Sequence, residues 1–155
     1  MATRSFIITT NPKGDCSGIY CHWDGYPSWV GRILSEHYTT PGRVRQLIRL
    51  GDLSSLGERV TPIGPHDFDR SEKGTTVAQW RDRYARGHQY EGQPKWKDLR
   101  ARSGGLSELV KIASDSWCEY VYLYFNGLWH FASIDDALEG KPFELLTPER
   151  IEAGE

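Results

Sequence analysis

Six consecutive residues, Cys21-His22-Trp23-Asp24-Gly25-Tyr26, bring a thiol, an imidazole and a carboxylate into one short stretch. As chemistry, His22 and Asp24 are acid/base candidates, with Trp23 and Tyr26 as walls for a small molecule or nucleotide. Cys21 is a nucleophile candidate only if it is exposed and a positive group lowers its pKa. The start of a following helix would supply an anion cradle. The competing reading is structural: Asp-Gly is turn chemistry, tryptophan is more often core than ligand wall, and a strand histidine is more often merely hydrogen-bonded. Cys16, Cys21 and His22 could be written as a metal cluster, but neighbours on a strand point to opposite faces and paired-ligand spacing is missing. No P-loop, GxGxxG, nucleophile elbow, HExxH or paired CxxC occurs, so neither a metal nor a cofactor is expected.

These residues sit on an elbow. Tyr20-Cys21-His22-Trp23 is β-prone, Asp24-Gly25-Tyr26-Pro27 is a turn, and Val30, Ile33, Leu34 and His37 recur with helical spacing. Upstream, Ser5 to Thr10 and Gly18 to Trp23 form an N-terminal hairpin around Asn11-Pro12-Lys13-Gly14-Asp15. Thr39-Thr40-Pro41-Gly42 ends the first helix, and a second is expected from Arg43 to Leu50, closed by Gly51. Residues 52–76 read as a loop-rich excursion, and Thr76 to Arg86 as a helix or, at Thr75-Thr76-Val77, a strand.

The clearest local signal is C-terminal. Trp117 to Phe125 and Leu128 to Ile134 are β-prone runs separated by Asn126-Gly127, the pair favoured in a type I′ turn. That turn sets Phe125 opposite Leu128, Tyr124 opposite Trp129, Leu123 opposite His130 and Tyr122 opposite Phe131. One face is then largely aliphatic (Val121, Leu123, Phe125, Leu128, His130, Ala132) and belongs against helices. The other carries Tyr120, Tyr122, Tyr124, Trp129 and Phe131, and is either a second packing layer or a partly exposed recognition surface. Leu106 to Ala113 is a short amphipathic helix, and Thr147-Pro148-Glu149 starts another. The fold class expected is α+β: a single domain over residues 1–155, with an antiparallel sheet from the two β-hairpins and helices packed mainly on one face.

Composition sets the outer limits. A chain of 155 residues with 38% hydrophobic content fits one self-sufficient domain, and no apolar run is long enough to span a bilayer. Met1 to Ser5 lead into no signal-like apolar region, and the odd count of 3 cysteines argues against a disulfide framework, so a cytoplasmic chain with reduced thiols is expected. A net charge of −2 excludes both a polyanionic nucleic-acid mimic and a strongly basic nucleic-acid binder. Charge is unevenly spread, however: Arg81, Arg83, Arg86, Lys95, Lys97, Arg100 and Arg102 crowd the middle, interleaved with Tyr90 and Trp96. They are a possible polyanion contact, or one face of a solvated loop.

Ala2-Thr3-Arg4-Ser5, Ile19-Tyr20-Cys21-His22-Trp23-Asp24-Gly25-Tyr26-Pro27, Val30-Gly31, Glu36-His37-Tyr38 and the run from Leu47 to Leu56 together resemble a family of small bacteriophage and prophage proteins. The resemblance covers roughly the first 56 residues. It implies provenance, an accessory protein in the bacterial cytoplasm during infection, and assigns no catalytic residue. Proteins of that provenance often bind and block host machinery, including nucleases of defence systems. The functional expectation is therefore an interaction module that docks on a host or phage protein through Tyr120, Tyr122, Tyr124, Trp129, Phe131, Trp23 and Tyr26. The alternative is an enzyme acting on a nucleotide or nucleic acid at the elbow.

Overall fold

The computed structural model describes residues 2–60, 74–79 and 99–154. Two hairpins form its centre. β1 (Ser5–Thr10) and β2 (Cys16–Cys21) pair antiparallel, with Ile7 opposite Ile19. Their turn is held by the Asn11 side-chain carbonyl, which accepts from the amides of Lys13 at 2.9 Å and Asp15 at 3.0 Å. The remaining strands are β3 (Leu53–Ser55), β4 (Val77–Ala78), β5 (Arg102–Gly104), β6 (Tyr120–Phe125), β7 (Leu128–Ser133) and β8 (Glu144–Leu145). β6 and β7 pair in the register expected from Asn126-Gly127, whose φ values of 56° and 79° are those a type I′ turn needs.

The α+β class holds, while two details of the expected arrangement differ. The hairpins do not join antiparallel: β1 runs parallel to β6, Ser5 beside Tyr120 and Ile7 beside Tyr122, giving a mixed sheet ordered β4-β3-β2-β1-β6-β7-β8. Helices also cover both faces. A π-helical turn (Pro27–Gly31) runs into α1 (Arg32–His37); with α2 (Pro41–Arg49) and α5 (Pro148–Ala153) it packs on Ile7, Ile19, Tyr122, Tyr124, Trp129 and Phe131. α3 (Leu106–Asp115) and α4 (Ile134–Leu138) pack on Phe6, Ile8, Val121 and Leu123. The physical reason is visible in β1: Phe6, Ile7 and Ile8 are consecutive and all fully buried, so this strand has two apolar faces to cover.

Local chemistry explains the helix bounds. α2 begins earlier than expected because Thr40 caps it, accepting from the Arg43 amide, and Pro41 takes the first position, where a missing N–H costs nothing. Gly51 then turns the chain at φ 76°. A side chain there would lie 2.3 Å from the Leu99 carbonyl oxygen. Within the excursion Leu53–Ser55 forms β3, and just after it Val77–Ala78 forms β4, so a strand overlaps the start of the helix expected from Thr76; residues 80–86 of that helix lie, with 87–98, outside the described residues. Among the described residues no helix is long and apolar enough to cross a membrane.

The outer edge of β2 is shared. β5 pairs with Cys16 to Gly18, and β3 pairs with Cys21. Between them the Tyr20 amide donates to the buried Asp52 carboxylate at 3.0 Å, and Arg102 of β5 donates to both Asp52 oxygens at 2.8 Å. Asp52→Ala leaves a strand amide and a half-buried guanidinium without that acceptor. We expect a loss of about 2 kcal/mol, read as a lower urea midpoint at unchanged m-value; a midpoint equal to wild type would show that β3 and β5 hold without it.

Candidate binding surface

The elbow residues lie together but do not make a reaction centre. Cys21 is fully buried and its thiol faces the Trp23 carbonyl at 3.7 Å. Burial pushes that thiol up to about 12, so it is protonated at neutral pH and is no nucleophile. His22 sits with Nδ1 2.8 Å from the Tyr20 hydroxyl. Desolvation, then the neighbouring Arg4, lowers its pKa, while burial raises Tyr20 to about 12, so the pair is a neutral imidazole beside a neutral phenol. Trp23 stands edge-on to His22 with centroids 4.6 Å apart and is 48% exposed.

Asp24 has turned away to do backbone work. At φ 57° it makes the reversal, its carbonyl accepts from Val30, and its carboxylate accepts from the Tyr26 hydroxyl at 3.3 Å. Among the described residues no hydrogen bond joins it to His22, and no group of three His, Cys, Asp or Glu side chains is placed to hold a metal. The anion cradle is closed as well: Pro27, first in the π-helical turn, is buried, and a Cβ on Gly154 would lie 2.5 Å from the Pro27 Cβ. The Gly25 amide donates to the Thr3 carbonyl, and the Tyr122 hydroxyl donates to the Gly25 carbonyl at 2.7 Å. This is a latch between the elbow and the central strands.

The aromatic face is a packing layer, which corrects its use as a docking surface. Tyr122, Tyr124 and Trp129 are buried and offer no area to a partner, while Phe131, 7% exposed, keeps only a small part of its surface, at the cleft where β6 begins. Their polar ends reach carbonyls on the elbow and past the end of α1: Trp129 Nε1 donates to Tyr38 at 2.8 Å and the Tyr124 hydroxyl to Thr39 at 3.5 Å. The basic segment divides differently. Arg81, Arg83, Arg86, Lys95 and Lys97 lie outside the described residues, Arg100 is exposed, and Arg102 is bound to Asp52.

What the structure does bring together is a cleft of about 590 Å³ at the end of the sheet where β6 begins and β7 ends. Elbow and aromatic face meet here, since Pro27, half-buried Tyr120 and Phe131 line it beside Ala132, Ala153 and Gly154. Charged side chains are part of its lining: Lys141 pairs with Asp136 at 3.2 Å and with Glu139 at 3.0 Å, and Arg150 with Glu144 at 2.6 Å. The Arg150 guanidinium lies 5.6 Å from the centroid of the Phe131 ring.

Three residues before Tyr120 lies one that sequence reasoning assigned to a strand. Trp117 is in the turn that ends α3: its amide donates to Ser114 and the Cys118 amide to Ala113, both at 3.0 Å, closing a Schellman motif. Trp117 takes the left-handed position, φ 66°, usually given to glycine, and its side chain is 78% exposed. Cys118 and Glu119 follow; the Glu119 amide donates to the Arg4 carbonyl, and Tyr120 enters the cleft lining. Trp117, Trp23 and the cleft thus share the end of the sheet at which β1 and β6 begin. The available signal was the helical spacing stopping at Ala113 with no glycine before the strand.

Burial of the thiols and of Tyr20 predicts an alkaline weakness. In the unfolded chain these groups ionise near their ordinary values of 9.0 for cysteine and 10.0 for tyrosine, whereas the folded chain keeps Cys21 and Tyr20 protonated to about 12. Their contribution is complete below pH 9 and is lost as pH rises through that window, because the folded state then binds more protons. A urea midpoint that falls from pH 8 to pH 11, together with iodoacetamide labelling of Cys21 only under unfolding conditions, is expected; rapid labelling of the native chain would show an open elbow. Comparison with protein-family models, curated proteins and solved structures finds no match to this chain, so the surface stands on its own geometry.

Proposed function

We propose that the chain is a protein-interaction module whose docking surface is the end of the sheet carrying Trp117, Trp23 and the cleft. The observation that carries this reading is Trp117. A non-glycine residue in the left-handed region costs about 1 kcal/mol, and at 78% exposure the indole recovers almost nothing from the core. A fold selected for stability alone would place glycine there, so the use of tryptophan points outside the chain. Tryptophan is among the side chains most enriched at interface hot spots, because it buries much area with few rotamers to freeze.

The resemblance of the first 56 residues supplies the context: an accessory protein of phage type, acting in the bacterial cytoplasm during infection, that occupies a host protein such as a nuclease complex of a defence system and obstructs it. Catalysis at the elbow has less support, since Cys21 is buried and protonated and Asp24 is committed to the turn. Nucleic acid is not favoured as a partner either. Among the described basic residues of the middle segment, Arg102 is already paired with a carboxylate.

Trp117→Gly separates fold from function. It should raise stability by about 1 kcal/mol, a gain of roughly 3 °C in Tm for a chain of this size, while abolishing recovery of the partner from infected-cell lysate. A variant that is no less stable and still retrieves the same partner would remove Trp117 from the interface.

A further inference from the structure

We infer that the cleft between α2 and the chain that follows β3 is a binding site for a phosphate-bearing small molecule, a site independent of the surface at the end of the sheet. Its volume is about 400 Å³, and among the described residues it is lined by Arg43, Gln46 and Arg49 of α2 with Arg59 and Val60. Three guanidiniums, an amide and one apolar wall thus meet with no acidic group in the described lining. α2 buries Val44, Leu47 and Ile48 and contains no aspartate or glutamate, so nothing along the helix cancels the charge of its arginines.

Arg43 is the fixed element of the site. Its Nε donates to the His37 carbonyl at 2.7 Å and its Nη2 to the Glu58 carbonyl at 2.8 Å, and the guanidinium lies 5.1 Å from the centroid of the Tyr38 ring. Backbone carbonyls and a ring face hold the side chain in place without neutralising it, and Nη1 takes no part in either bond. Arg49, six residues further along α2, is exposed and forms no ion pair among the described residues. The carboxylates of this region face other groups, Glu36 with Arg32 at 3.5 Å and Glu58 with His37 at 3.4 Å. Arg59, bonded to the Thr75 hydroxyl at 3.1 Å, brings further positive charge from the second segment. Donors on two guanidiniums and an amide outnumber the two oxygens of a carboxylate and suit a phosphate monoester, with about two charges and three acceptor oxygens. The arginines cluster at one helix instead of forming a track, and Arg102 is bound to Asp52, so a compact phosphate fits better than a nucleic-acid backbone.

Calorimetric titration of the full chain with pyrophosphate at physiological ionic strength tests this directly. Wild type should bind one equivalent saturably, and its Tm should rise with pyrophosphate concentration. Arg49→Gln removes a lining charge from an exposed position and should weaken binding about tenfold. Arg45→Gln removes the same charge one turn earlier on α2, at a residue that lines a different cleft with Thr10 and Pro41, and should bind as wild type does. Wild type without saturable binding overturns the inference, and so do equal losses in the two variants, which would reduce the site to diffuse attraction. Equal affinity for malonate, a dianion without phosphorus, overturns the assignment to phosphate. Binding of an oligonucleotide without a terminal phosphate, in place of pyrophosphate, overturns it in favour of nucleic acid.

Discussion

The carboxylate of Asp52 closes the one gap in the pairing of β2. That strand cannot be served along its whole outer edge by a single neighbour, because β3 reaches it only at Cys21 and β5 only from Cys16 to Gly18. A buried amide left between them would cost about as much as a lost hydrogen bond. Asp52 fills the interval with one oxygen and draws Arg102 of β5 in with the same group, while its own backbone bonds to Leu99 and Gln79. Two strands, β2 and β5, therefore converge on its side chain and Leu99 and Gln79 on its backbone, and the residue is only 4% exposed. The elbow inherits its position from this arrangement, since His22 and Trp23 continue β2 along β3 through bonds to Leu53 and Ser54.

The elbow is fastened to the sheet at several points. Its residues are those demanded by a chain that leaves a strand, reverses within two residues and starts a helix under a covering segment: Asp24 to tolerate positive φ, Gly25 to approach Thr3 and Ser5 closely, Pro27 to begin the π-helical turn. Tyr122 then ties the reversal to the middle of the sheet. Where histidine, aspartate and cysteine occur together, pattern alone suggests catalysis; here the thiol is buried and the carboxylate accepts from Tyr26.

The parts of the fold visible in the sequence were those settled by neighbours along the chain. Asn126-Gly127 specifies a turn, the turn specifies a register, and each of the four expected pairs from Phe125–Leu128 to Tyr122–Phe131 is present. Thr147 and Pro148 announce α5 in the same local way. What was not visible depends on distant partners. Nothing near Ser5 announces that it will lie parallel to Tyr120, and nothing near Leu53 marks a three-residue strand whose partners, β2 and β4, are distant in sequence. The aromatic face shows the limit most clearly: alternation places Tyr122, Tyr124, Trp129 and Phe131 on one side, but whether that side meets water or helices depends on carbonyls at Gly25, Tyr38 and Thr39. Trp117 escaped notice because its interest lies in φ, which residue type does not report.

The parallel contact between β1 and β6 carries a consequence for how the molecule is assembled. β1 is apolar on both sides and the innermost strand, yet the neighbour that completes it arrives only after most of the chain. Until then the N-terminal hairpin presents Phe6, Ile7 and Ile8 along an unpaired edge, the kind of surface that recruits chaperones or sticks to other unfinished chains. Closing so long a loop before any reward is collected makes for slow acquisition of the native state, and it means that removal of the C-terminal hairpin would strip the first hairpin of half its shelter.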